Sequence, residues 1–512
     1  MTRATLFGPP GTGKTTTLAR WAKQAATKYG GESIMICSLT RTAATEIKSR
    51  DTDVPENNVG TLHAHAYRSI EDDDIKVMGK DHIDEWNESY PAWAIPQRSF
   101  SEEDGGQPAG GNALSLYDLL RAQCADPLRY PAGVGAFASA YEEFKGRNKL
   151  IDFTDMIQYA IDHVDCPVDY IIMDEAQDCS MLEFKLLSKW AAQCKGAVIA
   201  GDDDQAAYEW RGASVDAFLG FAEDQRVLGQ SYRLPARVKE RADTWIRQIK
   251  RRKDKEYQPR EGSPGAVVEL EYRRPADVIQ HALSQKGTSM LLTTCGYMTL
   301  PYVGSLKSTA QTFCNPYRVH GDFASTWNPL MSGGRRATTA SDSVRAFLSP
   351  PWTWSQARSW LRELRDLPRG TKKDLEENKE SDSLVPLEYL AGILEEEGLS
   401  AALAGDLDWF LSRMKLDKKR REMMGYRIRV AKRFGLEGLT DKPRIIVGTI
   451  HSVKGGQADN VYLLPDLSAK GAESWRATAI SDPIVRQMYI GMTRAKSNLF
   501  LLPPSRNAVL RW

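Results

Sequence analysis

Short apolar runs separated by polar, helix-patterned segments organise the chain. Ala4-Thr5-Leu6-Phe7 reads as a buried strand, Gly8 to Gly13 as a glycine-rich turn, and Lys14 to about Lys28 as a helix. Ser33 to Ser38 reads as a second buried strand, and Thr42 to Arg50 as a helix. Val168 to Met173 and Ala197 to Ala200 are further apolar runs leading into acidic residues. Strands alternating with helices predict an α/β fold, with a parallel sheet covered on both faces.

From Ile70 to Lys149 the pattern turns polar and helical, broken at residues 103–111 by a Gly-, Pro- and acid-rich stretch. We read an insertion carrying a flexible loop. A second α/β pattern starts near Val227, includes Met290 to Thr294, resumes with Arg444 to Gly448 and ends with Leu499 to Leu502. Between its halves, Ala324 to Leu436 is charged and helical, with Trp352, Trp354 and Trp360 as core or platform residues. The expected organisation is a first α/β domain from 1–69 and 150–226, interrupted by 70–149. A second comes from 227–323 and 437–512, interrupted by 324–436. No repeat of the solenoid kind occurs.

Composition narrows the classes. The 512 residues suggest three or four folding units. Hydrophobic residues at 42% and charged residues at 26% are those of a soluble globular protein, which excludes disordered and collagen-like chains. No run of about 18 apolar residues predicts a membrane span, and the N-terminus lacks the pattern of a signal peptide. Seven scattered cysteines without a C-x-x-C suggest reduced thiols in a cytoplasmic compartment and no zinc site. His63 and His65 form an H-x-H pair with no third ligand nearby. The net charge is +1, but Arg413 to Arg433 holds ten Lys and Arg against two Asp and Glu, and Arg247 to Arg260 is also basic. Both are read as solvated helix faces or as phosphate contacts.

Gly8-Pro9-Pro10-Gly11-Thr12-Gly13-Lys14-Thr15 satisfies G-x-x-x-x-G-K-[ST] between a predicted strand and a predicted helix. Its backbone N–H groups and the helix start would cradle phosphates; Lys14 would reach the β and γ phosphates, and Thr15 would bind Mg²⁺. Thr16 completes the candidate nucleotide-binding stretch. Asp174-Glu175-Ala176-Gln177-Asp178 follows a buried strand. A carboxylate there faces the crevice of the phosphate loop, so Asp174 would hold Mg²⁺ and Glu175 would polarise the attacking water. The implied cofactors are ATP and Mg²⁺.

With these two motifs, Ala200 to Ala213 (AGDDDQAAYEWRGA) resembles motif III of UvrD/Rep-type superfamily 1 helicases. Further stretches are similar in the family's order: Ser38 to Ala44 to motif Ia, Val59 to His63 to motif Ib, and Asp152 to Met156 to the stretch before motif II. Gly229 to Arg233 is similar to motif IV, Gly448 to Gly455 to motif V, and Met488 to Ala495 to motif VI. The resemblance spans nearly the whole chain and implies two RecA-like P-loop NTPase domains with parallel sheets, each carrying a mainly helical insertion.

The resemblance also implies roles. Gln205 would sense the γ-phosphate and the attacking water, while Arg233 and Arg494 would bridge the γ-phosphate between two domains. Tyr232 would stack on adenine. Tyr208, Trp210 and Arg211 would grip single-stranded DNA by stacking and charge, with a core tryptophan as the alternative for Trp210. Thr40, Thr61, His63, Thr449 and His451 would contact backbone or bases. The chain departs from the family in two places. The usual adenine-reading Gln segment before the phosphate loop is missing from this sequence. Gln457, in Gly456-Gln457-Ala458, stands where relatives carry a ribose-touching Glu. Weakened base and sugar recognition is therefore expected, and little room for a C-terminal module follows motif VI. The expected function is an ATP-dependent helicase or translocase, moving 3′→5′ on single-stranded DNA and acting at single/double-strand junctions. A 5′→3′ enzyme and an ATP-gated single-strand binder without unwinding are the alternatives. The expected location is the cytoplasm of a bacterial or virus-infected cell.

Overall fold

The computed structural model describes residues 2–39, 47, 50, 52–70, 74–96, 109–318, 327–330, 340–477, 482–504, 510 and 512. The chain divides into two compact units, Met1–Val267 with Ala469–Ser497, and Val268–Ser468 with Asn498–Trp512. The strands in chain order are β1 (Thr2–Phe7), β2 (Ile34–Ser38), β3 (Val59–Thr61), β4 (Lys76–Val77), β5 (Leu150–Ile151), β6 (Tyr170–Asp174), β7 (Gly196–Gly201), β8 (Asp224–Val227), β9 (Ala266–Glu269), β10 (Ser289–Thr293), β11 (Phe313–Cys314), β12 (Ile445–Thr449), β13 (Ala458–Leu463) and β14 (Ala495–Leu501).

The first unit is built on a sheet in the order β3-β2-β6-β7-β1-β8, whose pairs run parallel. Register aligns the strand ends: Phe7 lies beside Gly201, and Ser38 beside Asp174. The loops that follow β1, β6 and β7 therefore emerge together at one edge. The helix Lys14–Tyr29 buries Leu18, Ala19, Ala22 and Ala26, a stripe at helical spacing that packs with Ile34, Ile36 and Ile172. On another face, Met156, Ile157 and Ala160 of the helix Phe153–His163 pack with Leu186, Leu187 and Trp190 of the helix Met181–Gln193. Both predicted strands at the start of the chain and those ending at acids are present.

The second pattern begins later than its residues suggest. Asp224–Val227 is not the start of a new sheet; it pairs parallel with β1, Ala4 beside Asp224, and Leu228 N–H donates to Phe7 O at 2.8 Å. Apolar character alone cannot say which sheet a short strand joins. The helix expected over Thr42 to Arg50 falls on residues outside those described, apart from Ile47 and Arg50. So does most of the expected loop at 103–111.

The helices Lys80–Ser89, Ala109–Ala122 and Ala132–Arg147 contribute to a core of their own, where Trp86 is ringed by Tyr90, Phe137, Tyr141 and Phe144. Arg121 and Lys145 tie this part to the sheet domain: both pair with Asp152 and Asp155 at the start of the helix Phe153–His163. The Cys166 and Cys194 sulfurs, 28 positions apart in sequence, lie 3.0 Å from each other.

The second unit holds a sheet in the order β11-β12-β10-β13-β14-β9. Thr293 lies beside Thr449 in a parallel pair. Helices fill residues 340–440. Trp352 and Trp360 are core residues, with Trp360 packed edge-on against Phe347. The basic helix Lys418–Phe434 is not a uniformly solvated face. Arg427 is buried and donates to Pro329 O at 2.9 Å; Arg429 and Arg433 donate to the Lys307 and Thr309 carbonyls at the end of the helix Leu300–Ser308. Lys418, Arg420 and Arg421 are exposed. No helix among the described residues is long and apolar enough to cross a membrane.

Candidate nucleotide and nucleic-acid site

The phosphate loop leaves β1 with Gly8 N–H bonded to Gly201 O at 2.9 Å. Gly11 and Gly13 adopt φ of 74° and 77°, conformations that a side chain would strain. Gly8 must also lack a side chain, since a Cβ there would stand 1.8 Å from Lys14 Cγ. Lys14 folds back over it and donates from Nζ to Gly8 O at 3.2 Å. The Pro9 and Pro10 carbonyls accept from Thr12 Oγ1 at 2.8 Å and Ser231 Oγ at 2.7 Å. Thr16 Oγ1 accepts from Arg50 at 2.9 Å. No side chain caps the helix start at Gly13. Its first N–H groups and their positive potential thus face the loop, an arrangement suited to an anion.

Asp174 ends β6. Thr15 Oγ1 donates to its Oδ2 at 2.8 Å. Burial, then the charge of Glu175, pushes the Asp174 carboxyl up to about 6. A hydroxyl and a destabilised carboxylate held together are hard oxygen donors that fit Mg²⁺. Glu175 sits at φ 56° in the left-handed region, which turns its side chain back. Its Oε1 lies 3.5 Å from Lys14 Nζ, and its Oε2 accepts from Gln177 Nε2 at 2.7 Å. Strain at this acid is the kind that functional sites retain.

Behind them, Asp202, Asp203 and Asp204 follow β7, all buried. Asp202 N–H donates to Gln177 Oε1 at 3.1 Å, and Gln205 Nε2 donates to Asp202 Oδ2 at 2.7 Å. Arg494 Nη2 donates to Gln205 Oε1 at 2.6 Å. Tyr232 N–H donates to Gly11 O at 2.8 Å while its ring is 71% exposed. Arg233 backs onto Gly11, where a Cβ would come within 2.3 Å of Arg233 Cβ. Lys14, Thr15, Asp174, Glu175, Gln205, Tyr232, Arg233 and Arg494 all belong to the first compact unit. Residues 228–260 and 469–497 group with the first compact unit, while Ala495, next to Arg494, begins β14 of the second sheet.

Trp210 is 41% exposed, so the core alternative fails. Its ring lies 6.4 Å from that of Tyr208, and the Arg211 guanidinium stands about 6 Å from both. His63 is 3.6 Å from Glu183 and edge-on to Phe153. Burial, with some help from Arg211, lowers the His63 pKa against the opposing pull of Glu183. Its neighbour His65 turns to Ile36 O, so the H-x-H pair does not converge on a metal. Thr61 Oγ1 is engaged as a helix cap, accepting from Ala64 N–H at 3.1 Å. Thr40 lies outside the described residues. Thr449, His451 and Gln457 belong to the second unit. Thr449 is buried and accepts from Ser452 N–H, whereas Gln457 is exposed, with its N–H on Tyr317 Oη at 3.3 Å.

Residues 2–211 match the model of an AAA domain family, AAA_19. A probable DNA helicase of Mycoplasma pneumoniae is 23% identical over 264 residues, covering 44% of this chain and 49% of that protein. The ATP-dependent DNA helicase PcrA of Staphylococcus aureus is 29% identical over 137 residues, 24% of this chain and 19% of PcrA. Over these stretches the chain is similar to UvrD/Rep-like superfamily 1 helicases. At most about half the length of these relatives is matched. An arterivirus nonstructural protein 10 helicase structure aligns over 98% of this chain and 59% of its own, at 11% identity and a TM-score of 0.32.

In this chain the sequence patterns missed four residues. Phe153, 61% exposed beside His63, adds an aromatic surface. Lys255 contacts all three buried aspartates, Arg252 forks onto Asp204, and Arg486 pairs with Glu209 at 2.6 Å while donating to Asp203 O. Two residues of the basic stretch Arg247 to Arg260, Arg252 and Lys255, are therefore neither a solvated face nor a phosphate contact. The available signal was three consecutive aspartates after an apolar strand, because such charges are buried only with cations.

Proposed function

We propose that the protein is an ATP-dependent DNA helicase or translocase that moves 3′→5′ on single-stranded DNA and separates duplex at single/double-strand junctions. One observation carries this reading. Lys14, the Thr15–Asp174 pair and Glu175 meet where β1 and β6 end, in the unit that also holds the Gln205–Arg494 contact.

In this reading the loop Gly8–Gly13 and Lys14 bind the nucleotide phosphates, and Thr15 and Asp174 hold Mg²⁺. The ion supplies charge neutralisation at the β and γ phosphates. Glu175 accepts the proton of the attacking water, Gln205 orients that water, and Arg233 and Arg494 stabilise the γ-phosphate charge. Tyr232 offers its exposed ring to the base. Tyr208, Trp210 and Arg211 bind single-stranded DNA by stacking, which tolerates any sequence. His63 and His451 are assigned to backbone or base contacts by resemblance, as is the direction of movement, whereas Thr61 caps a helix and the buried Thr449 accepts from Ser452 N–H, roles that hold the fold instead.

The test is ATP hydrolysis with Mg²⁺, with and without single-stranded DNA, followed by strand separation on duplexes with a 3′ or a 5′ tail. Stimulated hydrolysis and opening of 3′-tailed substrates are expected. Opening of 5′-tailed substrates would reverse the direction. Stimulated hydrolysis with no opening of either would favour an ATP-gated DNA binder, and no stimulation would overturn the reading.

A further inference from the structure

Resting on that reading of the site, we propose that Lys255 is a positioning residue: through Asp202 it fixes the Gln205 amide in the orientation that meets Arg494.

Lys255 is 1% exposed and lies about fifty positions after the aspartates it holds. Its ammonium is 2.8 Å from Asp202 Oδ1 and 2.9 Å from Asp204 Oδ2, and it also bonds Asp203 Oδ1. An ammonium has three donors, and here they are shared among three carboxylates. Asp203 and Asp204 have further support: the Lys253 N–H donates to Asp203, and Arg252 forks onto Asp204 at 2.8 and 2.7 Å. At Asp202, Oδ1 faces Lys255 and also accepts from the Asp204 N–H at 3.3 Å, while Oδ2 accepts from Gln205 Nε2.

That division of labour has a geometric consequence. With Nε2 held on Asp202, the amide plane of Gln205 directs Oε1 away, and it lands 2.6 Å from Arg494 Nη2. An amide flipped by half a turn would present its NH₂ group to a guanidinium, donor against donor. Asp202 thus connects a buried cation to the orientation of the nucleotide sensor. Its N–H on Gln177 Oε1, and Gln177 Nε2 on Glu175, extend the same connection to the acid beside Lys14. Lys255 touches none of the proposed nucleotide-binding groups, so its effect on turnover is indirect, and of its three carboxylates Asp202 is the one whose other oxygen holds the Gln205 amide.

The test compares single-strand-stimulated ATPase in D203N, K255M/D203N, D202N/D203N and the triple variant. Removing the Asp203 charge offsets the loss of the cation, so that the lysine can be replaced without leaving three carboxylates on Arg252. Thermal unfolding of each full-length protein confirms that it is folded. Relative to D203N, K255M/D203N is expected to lose at least tenfold in kcat, with the Kd of a fluorescent ATP analogue within twofold. Adding D202N to K255M/D203N is expected to cost less than twofold more, because both changes cut one connection. A kcat within twofold of D203N would overturn the proposal, as would losses that multiply. So would a loss of nucleotide affinity that accounts for the whole effect, or a failure of folded K255M/D203N protein to form. A wild-type protein that does not hydrolyse ATP would instead overturn the proposed function, and this inference with it.

Discussion

Arg494 Nη2 and Gln205 Oε1 lie 2.6 Å apart, both side chains buried, although the residues are 289 positions apart in sequence. The pair joins the turn after β7 to the end of the helix Asp482–Met492. Arg494 is also anchored by Nε on Ile490 O at 2.9 Å. Its fork is thereby held in place by the fold, which in the proposed reaction would limit reorganisation. R494A is expected to lower single-strand-stimulated kcat by about 10³–10⁵ if the guanidinium stabilises the transferring phosphate. R494K should recover little, since an ammonium keeps the charge and loses the fork. An R494K protein with near wild-type kcat would remove Arg494 from the reaction.

The acids of the phosphate site should separate binding from turnover. E175Q keeps the loop, Lys14 and the Thr15–Asp174 pair, so it should bind ATP with Mg²⁺ while losing at least about a hundredfold in kcat, the scale of a lost general base. K14A should weaken binding as well. Equilibrium titration with a fluorescent ATP analogue beside steady-state hydrolysis distinguishes the two. Substantial turnover in E175Q would assign the base elsewhere.

Trp210 and Phe153 are both exposed on the first unit. W210A should lose ~1–3 kcal/mol of single-strand affinity, the worth of one stacked base. F153A should lose a similar amount if its ring also faces a base. Fluorescence anisotropy with a labelled oligonucleotide measures both. ATPase without DNA should persist in each variant, and unchanged DNA affinity in W210A would leave its exposed ring without a role.

Asp118, on the helix Ala109–Ala122, should make stability depend on pH. Burial first, then the charge of Asp152, pushes its carboxyl from the ordinary 3.8 up to about 7. The folded state therefore prefers the protonated form. That stability is present below about pH 4 and lost as pH rises through about 7, because the unfolded chain ionises earlier. The melting temperature of D118N minus that of wild type should grow between pH 4 and pH 7 and then level off. A difference that stays flat with pH would show that Asp118 titrates normally.

The chemistry that lies close together along the chain was legible without a structure. The phosphate loop, the acid pair after β6 and the Asp203–Gln205 turn after β7 are each a contiguous motif on a strand end, and register alone brings them to one edge. Their backbone demands are local as well: Gly11 and Gly13 are glycines because φ is positive there. Tertiary structure decided the rest, since a side chain's identity states its charge and not its partner. Nothing in the stretch from Arg247 to Arg260 distinguishes Lys255, buried on three aspartates, from Lys250, which is exposed. Nothing in Asp224–Val227 says that it completes the first sheet. Likewise, only packing separates Trp210, which stays at the surface, from Trp190 and Trp360, which do not. An apolar or charged residue carries a general preference for burial or for water. Which of several equivalent residues satisfies it depends on contacts between segments far apart in the chain, and those exist only once the fold has formed.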